Sequence, residues 1–228
     1  MAQQEAIWTH FQGDGIDKFN GAYWRLSRLV HYASRYYSKP DVLNIGIGDG
    51  SLELYALRRG WKVIAVDPDE GAVNRLRAKS VDARSGFIEQ LPVETSCVDV
   101  VFASEVFEHL TDKQLTAGLE EIWRVLRSNG RLFGTTPFAE NLKEQECVCP
   151  RCGIAFHRWG HEQSFKPERM REILNARFSV EICEPRHFPN WKAMDLRSKT
   201  TAVLRRLLRH PFGIHRPDEN ILFIARKG

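Results

Sequence analysis

The stretch that decides the fold lies at residues 41–52, which read DVLNIGIGDGSL. It begins with the apolar run of a buried strand and ends in a turn that holds Gly46, Gly48 and Gly50. Glycines let the backbone of such a turn pass close to a ligand, because no side chain stands in the way. The stretch therefore predicts the first strand and the ligand-binding turn of a nucleotide-binding α/β unit.

The next segments complete a strand–turn–helix–strand unit. A helix is predicted over residues 52–60, and a second strand over residues 63–66 ends at Asp67. Asp67 lies 21 residues after Gly46, where a carboxylate can accept hydrogen bonds from both hydroxyls of a ribose. The third glycine comes one residue earlier than in the dinucleotide fingerprint G-x-G-x-x-G, so the ligand is expected to be a different nucleotide.

Length and composition limit the class of protein. The 228 residues suffice for a single domain, 43% of them are hydrophobic and 27% charged, and the net charge is +4. This mild charge, without a recognition motif, gives no reason to expect a nucleic-acid partner. No apolar run approaches the roughly 18 residues of a membrane span. Residues 1–5 lack the apolar segment of a signal peptide, so a cytoplasmic location is expected.

Further strands and helices are predicted in a regular order after Asp67. A helix is expected over residues 70–79 and a weak strand over residues 84–87. Residues 91–92 are Leu-Pro, and the segment SCVDVVFASEVFEHL at 96–110 predicts a buried strand that ends in Glu-His-Leu. A helix over 122–127 is expected to stop at SNG, with Gly130 at the position after the helix end, and RLFGTTP at 131–137 predicts the next strand.

Together these segments, over residues 41–137, resemble the motif series of class I S-adenosylmethionine (SAM)-dependent methyltransferases, in the methyltransferase type 11-like group. The resemblance implies an α/β fold with a Rossmann-like, seven-stranded, mostly parallel sheet, helices on both faces and an antiparallel last strand. It also implies SAM as cofactor and the following binding residues: Asn44, Gly46, Gly48, Asp49, Gly50, Asp67, Pro68, Phe87, Ile88, Ser104 and Glu105.

Two of these positions depart from the family pattern. The family usually has an acid where this chain has Asn44, and often an Asp that binds the adenine amino group where it has Phe87. Phe87 cannot make that hydrogen bond. The adenine is therefore expected to contact backbone groups near Phe87 and Ile88, with their side chains packed on its face.

The resemblance further implies methyl transfer to an oxygen or nitrogen of a small-molecule or saccharide acceptor. The sulfonium of SAM is already activated, so the protein mainly aligns the reactants. A hydroxyl acceptor would need a base, and His109 and His161 are the candidates. His109 follows a strand end and has the alternative of a capping or packing role, whereas His161 lies in a segment that resembles the one returning to the acceptor pocket in related enzymes.

Residues 139–165 form a predicted insert rich in cysteine and histidine. Three of the five cysteines lie within residues 147–152, a clustering that favours metal binding in a reducing compartment. The spacing of Cys149, Cys152, His157 and His161 permits a tetrahedral structural zinc site, and Cys147 could replace either histidine. The alternative is a reduced, metal-free loop. A complete zinc shell would exclude His161 as a base.

Two further regions are expected to shape the acceptor pocket within one domain, 1–228. Within residues 1–38, the sequence predicts a helix over 20–37. Its aromatic residues either pack on the sheet or belong to a lid. Trp8, His10 and Phe11 are expected in the loop before this helix. The connection 184–219 is basic and holds a possible amphipathic helix at 200–210.

Several interpretations of this connection and of the chain stay open at this point. The basic helix could lie solvated on the domain edge, bind an anionic acceptor, or contact a membrane surface through residues 197–210. The cations concerned are Lys192, Arg197, Lys199, Arg205, Arg206, Arg209 and Arg216. Two other classes of protein also fit the sequence: a SAM-binding protein without methyl transfer, and a zinc-dependent nucleic-acid-binding module.

Overall fold

The computed structural model describes residues 2–13, 22–188, 195, 200–201 and 219–228. Its strands are β1 Asp41–Ile45, β2 Lys62–Asp67, β3 Asp82–Ser85, β4 Val98–Ser104, β5 Leu126–Pro137, β6 Glu146–Val148, β7 Ala155–His157, β8 Ser179–Arg186 and β9 Asn220–Arg226. Its helices are α1 Ala2–Gln12, α2 Tyr23–Ala33, α3 Ser51–Arg58, α4 Glu70–Arg77, α5 Asp112–Val125 and α6 Pro167–Asn175.

Within the described ranges, seven strands form one sheet in the order β3-β2-β1-β4-β5-β9-β8. Neighbours from β3 to β5 pair in parallel, and β9 runs antiparallel to both β5 and β8. The predicted mostly parallel sheet with an antiparallel last strand is thus confirmed. The chain builds outward from β1 to β3 and then returns to place β4 on the other side of β1, which creates a switch point where α/β proteins bind ligands.

Side chains alternate between the two faces of the sheet, as the period of a strand requires. On β4, Val101 and Ala103 belong to one apolar cluster and Val100 and Phe102 to another. The first cluster includes residues of α5 and α6, and the second includes residues of α2 and α3. Helices therefore cover both faces, and the apolar runs of the strands are explained by burial on both sides.

The register brings the ends of the central strands to the same level. Ile45, the last residue of β1, lies opposite Val66 of β2 and Ala103 of β4. Ser104 at the end of β4 lies opposite Thr135 of β5. Polar residues that directly follow β1, β2 and β4 in the sequence consequently meet at the carboxyl edge of the sheet.

The predicted end of α5 at the SNG sequence is wrong. The helix ends at Val125, and Leu126 already has extended backbone (φ −68°, ψ 137°) and begins β5. Gly130 lies inside that strand, where a Cβ would approach the carbonyl oxygens of Arg127 at 2.8 Å and Asp99 at 3.0 Å. Glycine is needed there for close approach of backbones, so it does not mark a helix stop.

The N-terminal region differs in one respect from its prediction. Trp8, His10 and Phe11, expected in a loop, lie on helix α1. The second helix is described from Tyr23, and its buried residues Leu29, Val30 and Ala33 pack against the sheet.

The insert between β5 and α6 contains a two-stranded hairpin, β6–β7. Most of the basic connection, including residues 202–218, lies outside the described residues, as do all seven of its cations named above. The helix predicted at 200–210 is described only at residues 200–201. Among the described segments, no helix is both long and apolar enough to cross a membrane.

Candidate active site

A cavity of about 560 Å³ opens at the carboxyl ends of β1, β2 and β4. The glycine turn, the loop after β3, the N-terminal helices and the insert all contribute to its lining. Nine of the residues predicted to bind the cofactor line it: Gly46, Gly48, Asp49, Asp67, Pro68, Phe87, Ile88, Ser104 and Glu105.

The glycine turn has a backbone that only glycine adopts readily. Gly46, Gly48 and Gly50 have φ values of 85°, 56° and 78°. A Cβ on Gly46 would also lie 3.0 Å from Val106 Cγ2. Gly50 precedes the first residue of α3 and packs against Leu76 instead of lining the cavity. Two of the glycines thus face the cavity, while the third joins α3 to α4.

Asp67 is the buried acid at the centre of the site, with 4% of its surface exposed. Its Oδ2 accepts from the Ile47 N–H at 2.7 Å, and its Oδ1 accepts from the Asp69 N–H at 2.9 Å. Gln12 of α1 also donates to Oδ2, at 3.4 Å. Burial raises the pKa of Asp67 to about 6. Because each carboxylate oxygen has a further lone pair, Asp67 can still accept hydrogen bonds from a ligand.

Asn44 departs from its predicted role, because it does not line the cavity. Its side-chain amide donates to Glu53 Oε1 at 2.7 Å and to the Gly46 carbonyl at 3.0 Å. Glu53 is fully buried, and burial raises its pKa to about 7. Asn44 and Glu53 thus form a polar pair that holds the back of the glycine turn. Sequence analysis missed Glu53, although an acid beside Leu52 in an apolar helix face was a usable signal.

The loop after β3 supplies an apolar side to the cavity. Phe87 is 48% exposed and Ile88 6% exposed, and both line the cavity. Ile88 packs closely on Gly118 of α5, where a Cβ would lie 2.9 Å from its Cγ1. Phe87 is thus the more accessible of the two, which leaves its ring available to pack on a flat ligand.

The end of β4 carries a polar network across the sheet edge. Ser104 and Thr135 hydroxyls are 2.8 Å apart, and Arg25 of α2 donates to Ser104 Oγ at 3.1 Å. Glu105 has a φ of 56°, a conformation that costs a non-glycine residue about 1 kcal/mol and is concentrated at functional sites. Its Oε2 accepts from Asn220 Nδ2 at 2.9 Å. Through Arg25, helix α2 is therefore tied to the end of β4 at the edge of the cavity.

A further part of the cavity lining is formed by Glu108, His109, Glu140 and His161, hereafter the acidic–histidine wall. Glu108 and His109 lie on a short 3-10 helix after β4, while Glu140 and His161 come from the insert. His161 Nδ1 donates to Glu140 Oε2 at 2.5 Å, and His109 Nδ1 donates to the Gly160 carbonyl at 3.2 Å. The structure thus brings both predicted bases together and adds two acids that sequence analysis did not assign.

The electrostatics of this wall argue against His109 as a base. Loss of solvation lowers the pKa of His109 to about 3, and the nearby His161 contributes in the same direction. Burial, followed by the charge of Glu105, raises the pKa of Glu108 well above its ordinary range. His109 is therefore a neutral imidazole with little affinity for a proton, which makes it the weaker candidate for a general base.

The predicted zinc ligands do not converge in the described part of the chain. Cys149 and Cys152 occupy a tight turn closed by the Gly153 N–H on the Cys149 carbonyl at 2.8 Å. The N–H groups of Cys152 and Arg151 lower the pKa of the Cys149 thiol. However, neither cysteine joins His157 or His161 in a group of three possible ligands.

The hairpin explains this separation. Cys147 pairs with Phe156, the neighbour of His157, and adjacent strand residues point to opposite faces. His157 is buried towards Glu140, with Nε2 3.6 Å from Oε1, whereas Cys147 and Cys152 are exposed. The sequence spacing allowed a Cys2His2 site, but no group of three possible ligands among the described residues contains a cysteine.

The structure resembles solved methyltransferases in fold. The 1,6-didemethyltoxoflavin-N1-methyltransferase of Burkholderia thailandensis, solved with 1,6-didemethyltoxoflavin and S-adenosylhomocysteine, superposes with a TM-score of 0.67 at 17% identity, over 99% of this chain and 89% of that one. A crystal structure of a SAM-dependent methyltransferase from Methanosarcina mazei gives a TM-score of 0.61 at 14% identity, over 84% and 93%. The fold is accordingly the Rossmann-like fold of these methyltransferases.

The sequence comparisons agree with the fold. Residues 43–134 match the family model described as a methyltransferase domain. A Mycobacterium tuberculosis protein named "Probable S-adenosylmethionine-dependent methyltransferase" is 30% identical over 183 residues, which cover 78% of this chain and 64% of the relative. The mitochondrial ubiquinone biosynthesis O-methyltransferase of Bos taurus is 29% identical over 163 residues, 64% of this chain and 43% of the relative. The chain thus spans less than two thirds of the length of these relatives.

Proposed function

We propose that the protein is a SAM-dependent methyltransferase that moves a methyl group to an oxygen or nitrogen of a small-molecule or saccharide acceptor. The observation that carries the proposal is one cavity that is lined both by the glycine turn with Asp67 and by the acidic–histidine wall. The match of residues 43–134 to a methyltransferase domain supports the same conclusion.

The residues present fit SAM. Gly46 and Gly48 line the cavity without a side chain, and Asp67 offers lone pairs to the ribose hydroxyls. The half-exposed ring of Phe87 would pack on the adenine, and Arg25 and Ser104 close the site beside Glu105. When bound, the cofactor supplies an electrophilic methyl group.

A small acceptor is favoured by a contact between two elements that line the cavity. Phe11 of α1 packs against Trp159 of the insert, with ring centroids 4.8 Å apart, and both residues line the cavity. The N-terminal helix and the insert therefore meet over the site, as a lid would. A partly covered cavity of about 560 Å³ suits a compact acceptor better than a polymer chain.

The protein's part in the reaction is alignment and handling of the acceptor proton. Holding two reactants in line can supply about 7–11 kcal/mol of the barrier. For a hydroxyl acceptor, His161 is the better placed of the two predicted bases, because Glu140 accepts from Nδ1 and so directs the lone pair to Nε2. A cytoplasmic location and an anionic acceptor stay predictions.

Transfer of a radiolabelled methyl group from SAM to panels of phenols, sugars and amines tests the proposal. Turnover on at least one acceptor, lost when S-adenosylhomocysteine competes for the cavity, is expected. Tight SAM binding without turnover on any acceptor would favour a SAM-binding protein that transfers no methyl group. Absence of SAM binding would overturn the proposal.

A further inference from the structure

The acidic–histidine wall has the composition of a metal site. One ligand atom each from Glu108, His109 and His161 lies within 4.8 Å of the other two. Two imidazoles with one carboxylate are a ligand set typical of catalytic Zn²⁺ and related divalent transition metals, which keep further positions open for water or substrate. A metal about 2.1 Å from each ligand needs these atoms about 3–3.5 Å apart, so side-chain shifts of about 1 Å suffice.

A second observation concerns the carboxyl group of Glu108. Glu108 is 1% exposed, and its Oε2 accepts from Thr136 Oγ1 at 3.1 Å. Its Oε1 is buried and has no hydrogen-bond partner among the described residues. A buried carboxylate oxygen without a partner costs free energy, and a cation bound to it would offset that cost.

Both histidines are oriented as metal ligands usually are. Metal-binding histidines commonly donate their other ring N–H to a carbonyl or carboxylate, which fixes the tautomer and the ring plane. His109 does so to the Gly160 carbonyl, and His161 does so to Glu140. In both rings this places the lone pair on Nε2, the nitrogen that would bind the metal.

Hydrogen bonds join the two segments that carry the proposed ligands. The Glu108 carbonyl accepts from the N–H groups of Glu162 at 2.8 Å and Gln163 at 3.1 Å. Gln163 Nε2 also donates to the Leu110 carbonyl at 2.5 Å. The 3-10 helix that carries Glu108 and the loop that carries His161 are therefore tied together on both sides, which is the support that a preorganised site needs.

A second grouping, Glu140, His157 and His161, is less suited to a metal. The Nδ1 atom of His157 accepts from the N–H groups of Trp159 at 3.3 Å and His161 at 3.1 Å. In the neutral ring the proton then lies on Nε2, the atom that faces Glu140, and a protonated nitrogen cannot bind a metal. His157 thus supports the loop, and Glu140 orients His161.

We propose that Glu108, His109 and His161 bind a divalent transition-metal ion, such as Zn²⁺, that takes the hydroxyl of the acceptor as a further ligand. This proposal rests on the proposed methyltransferase function and narrows it to O-methylation. Metal binding lowers the pKa of a bound hydroxyl, so its proton passes to solvent. The acceptor oxygen bonds to the methyl carbon while the carbon–sulfur bond breaks, and its electron pair stays on sulfur. The histidines then act as ligands, and neither serves as the base.

Metal content of the full-length protein tests the site without any acceptor. The chelator-stripped protein is reloaded with Zn²⁺ and analysed by elemental analysis and calorimetry. One ion per chain is expected in the natural protein and in the double variant Cys149→Ser with Cys152→Ser. Glu108→Gln, which keeps an acceptor for Thr136, should weaken Zn²⁺ binding by more than roughly 100-fold, since losing a group outside the coordination sphere already costs about 10–100-fold.

A second variant, a spectroscopic readout and a stability measurement distinguish the loss of a metal ligand from a folding defect. Glu140→Gln should weaken Zn²⁺ binding by about tenfold, because it only loosens the orientation of His161. Co²⁺ in the site should show visible absorption without the thiolate-to-metal band that cysteine ligands produce. Thermal unfolding of the metal-free forms should show each variant folded.

Two results would overturn the metal site: no Zn²⁺ bound to the natural protein, or binding that is lost in the cysteine variant and kept in Glu108→Gln. The second result would support the zinc knuckle predicted from the sequence. Methyl transfer that persists after complete chelation would also contradict the proposal while leaving the methyltransferase function intact. Failure to bind SAM would refute the function, whereas the metal measurements would still decide the site.

Discussion

Replacing Asp67 by Asn should weaken SAM binding by at least roughly 100-fold. The ionised carboxylate would accept hydrogen bonds from two ribose hydroxyls, and hydrogen bonds to a charged group contribute about 1.5–3 kcal/mol each. An amide keeps one neutral acceptor oxygen and presents a donor in place of the other. A net loss of about 3 kcal/mol or more corresponds to a factor of 100 or more in the dissociation constant.

The same change should hardly alter the stability of the ligand-free protein. Burial raises the pKa of Asp67 from 3.8 to about 6, which costs about 3 kcal/mol of folding free energy at pH 7. The amide of the Asp67→Asn variant would remove that cost but would leave one of the Ile47 and Asp69 N–H groups without its acceptor, at about 1–3 kcal/mol. The two effects nearly cancel.

Calorimetric titration at several pH values measures the affinity for SAM and its dependence on pH. The natural protein should bind SAM roughly tenfold more weakly at pH 5 than at pH 7, because protonation below about pH 6 removes the acceptor charge. The Asp67→Asn variant should show no such fall. Asp69→Asn is the matched control: it removes a charge two residues away and keeps the cap on the Ala72 N–H, so affinity should be unchanged. Equal losses in both variants, or a loss below about fivefold for Asp67→Asn, would refute the reasoning.

Two further predictions concern residues on either side of the glycine turn. Phe87→Ala should raise the dissociation constant of SAM by about tenfold through lost packing on the adenine, with little change in melting temperature because the ring is half exposed; an unchanged constant would exclude that contact. Glu53→Gln should remove a pH dependence of stability. The pKa of Glu53 is raised from 4.5 to about 7 in the folded state, so its contribution to stability is complete below about pH 4.5 and is lost as pH rises through about 7. At pH 8 the ionised Glu53 costs the folded protein about 3 kcal/mol. The Gln amide removes this cost but loses about 1–2 kcal/mol because its N–H groups lack acceptors, so denaturant unfolding should show the variant about 1–2 kcal/mol more stable. A less stable variant at pH 8 would contradict the assignment.

The sequence was sufficient for the sheet and for the meeting of the glycine turn and Asp67 at its edge, because both depend on local patterns. Apolar runs define β1, β2 and β4, and the spacing of Asp67 from Gly46 follows from the lengths of one turn, one helix and one strand. Parallel strands run in the same direction, so the residues that follow each strand meet at one edge of the sheet.

The acidic–histidine wall could not be predicted in full because it depends on how a long insert returns to the sheet. His161 was assigned from its motif, but its partner Glu140 lies 21 residues away and is brought near by the hairpin and the loop that follows it. The zinc prediction relied on the clustering and spacing of cysteines and histidines, and neither shows which face of β7 carries His157. Two of the three missed acids, Glu53 and Glu108, are buried and so are exceptions to the usual exposure of glutamate.

A crystal structure of the protein soaked with S-adenosylhomocysteine tests the central claim most directly. The claim predicts density in the cavity, with the ribose hydroxyls on Asp67, the adenine on Phe87 and the sulfur facing Glu108, His109 and His161. Density for the ligand elsewhere on the protein, or a ligand in the cavity whose sulfur faces away from this wall, would contradict it.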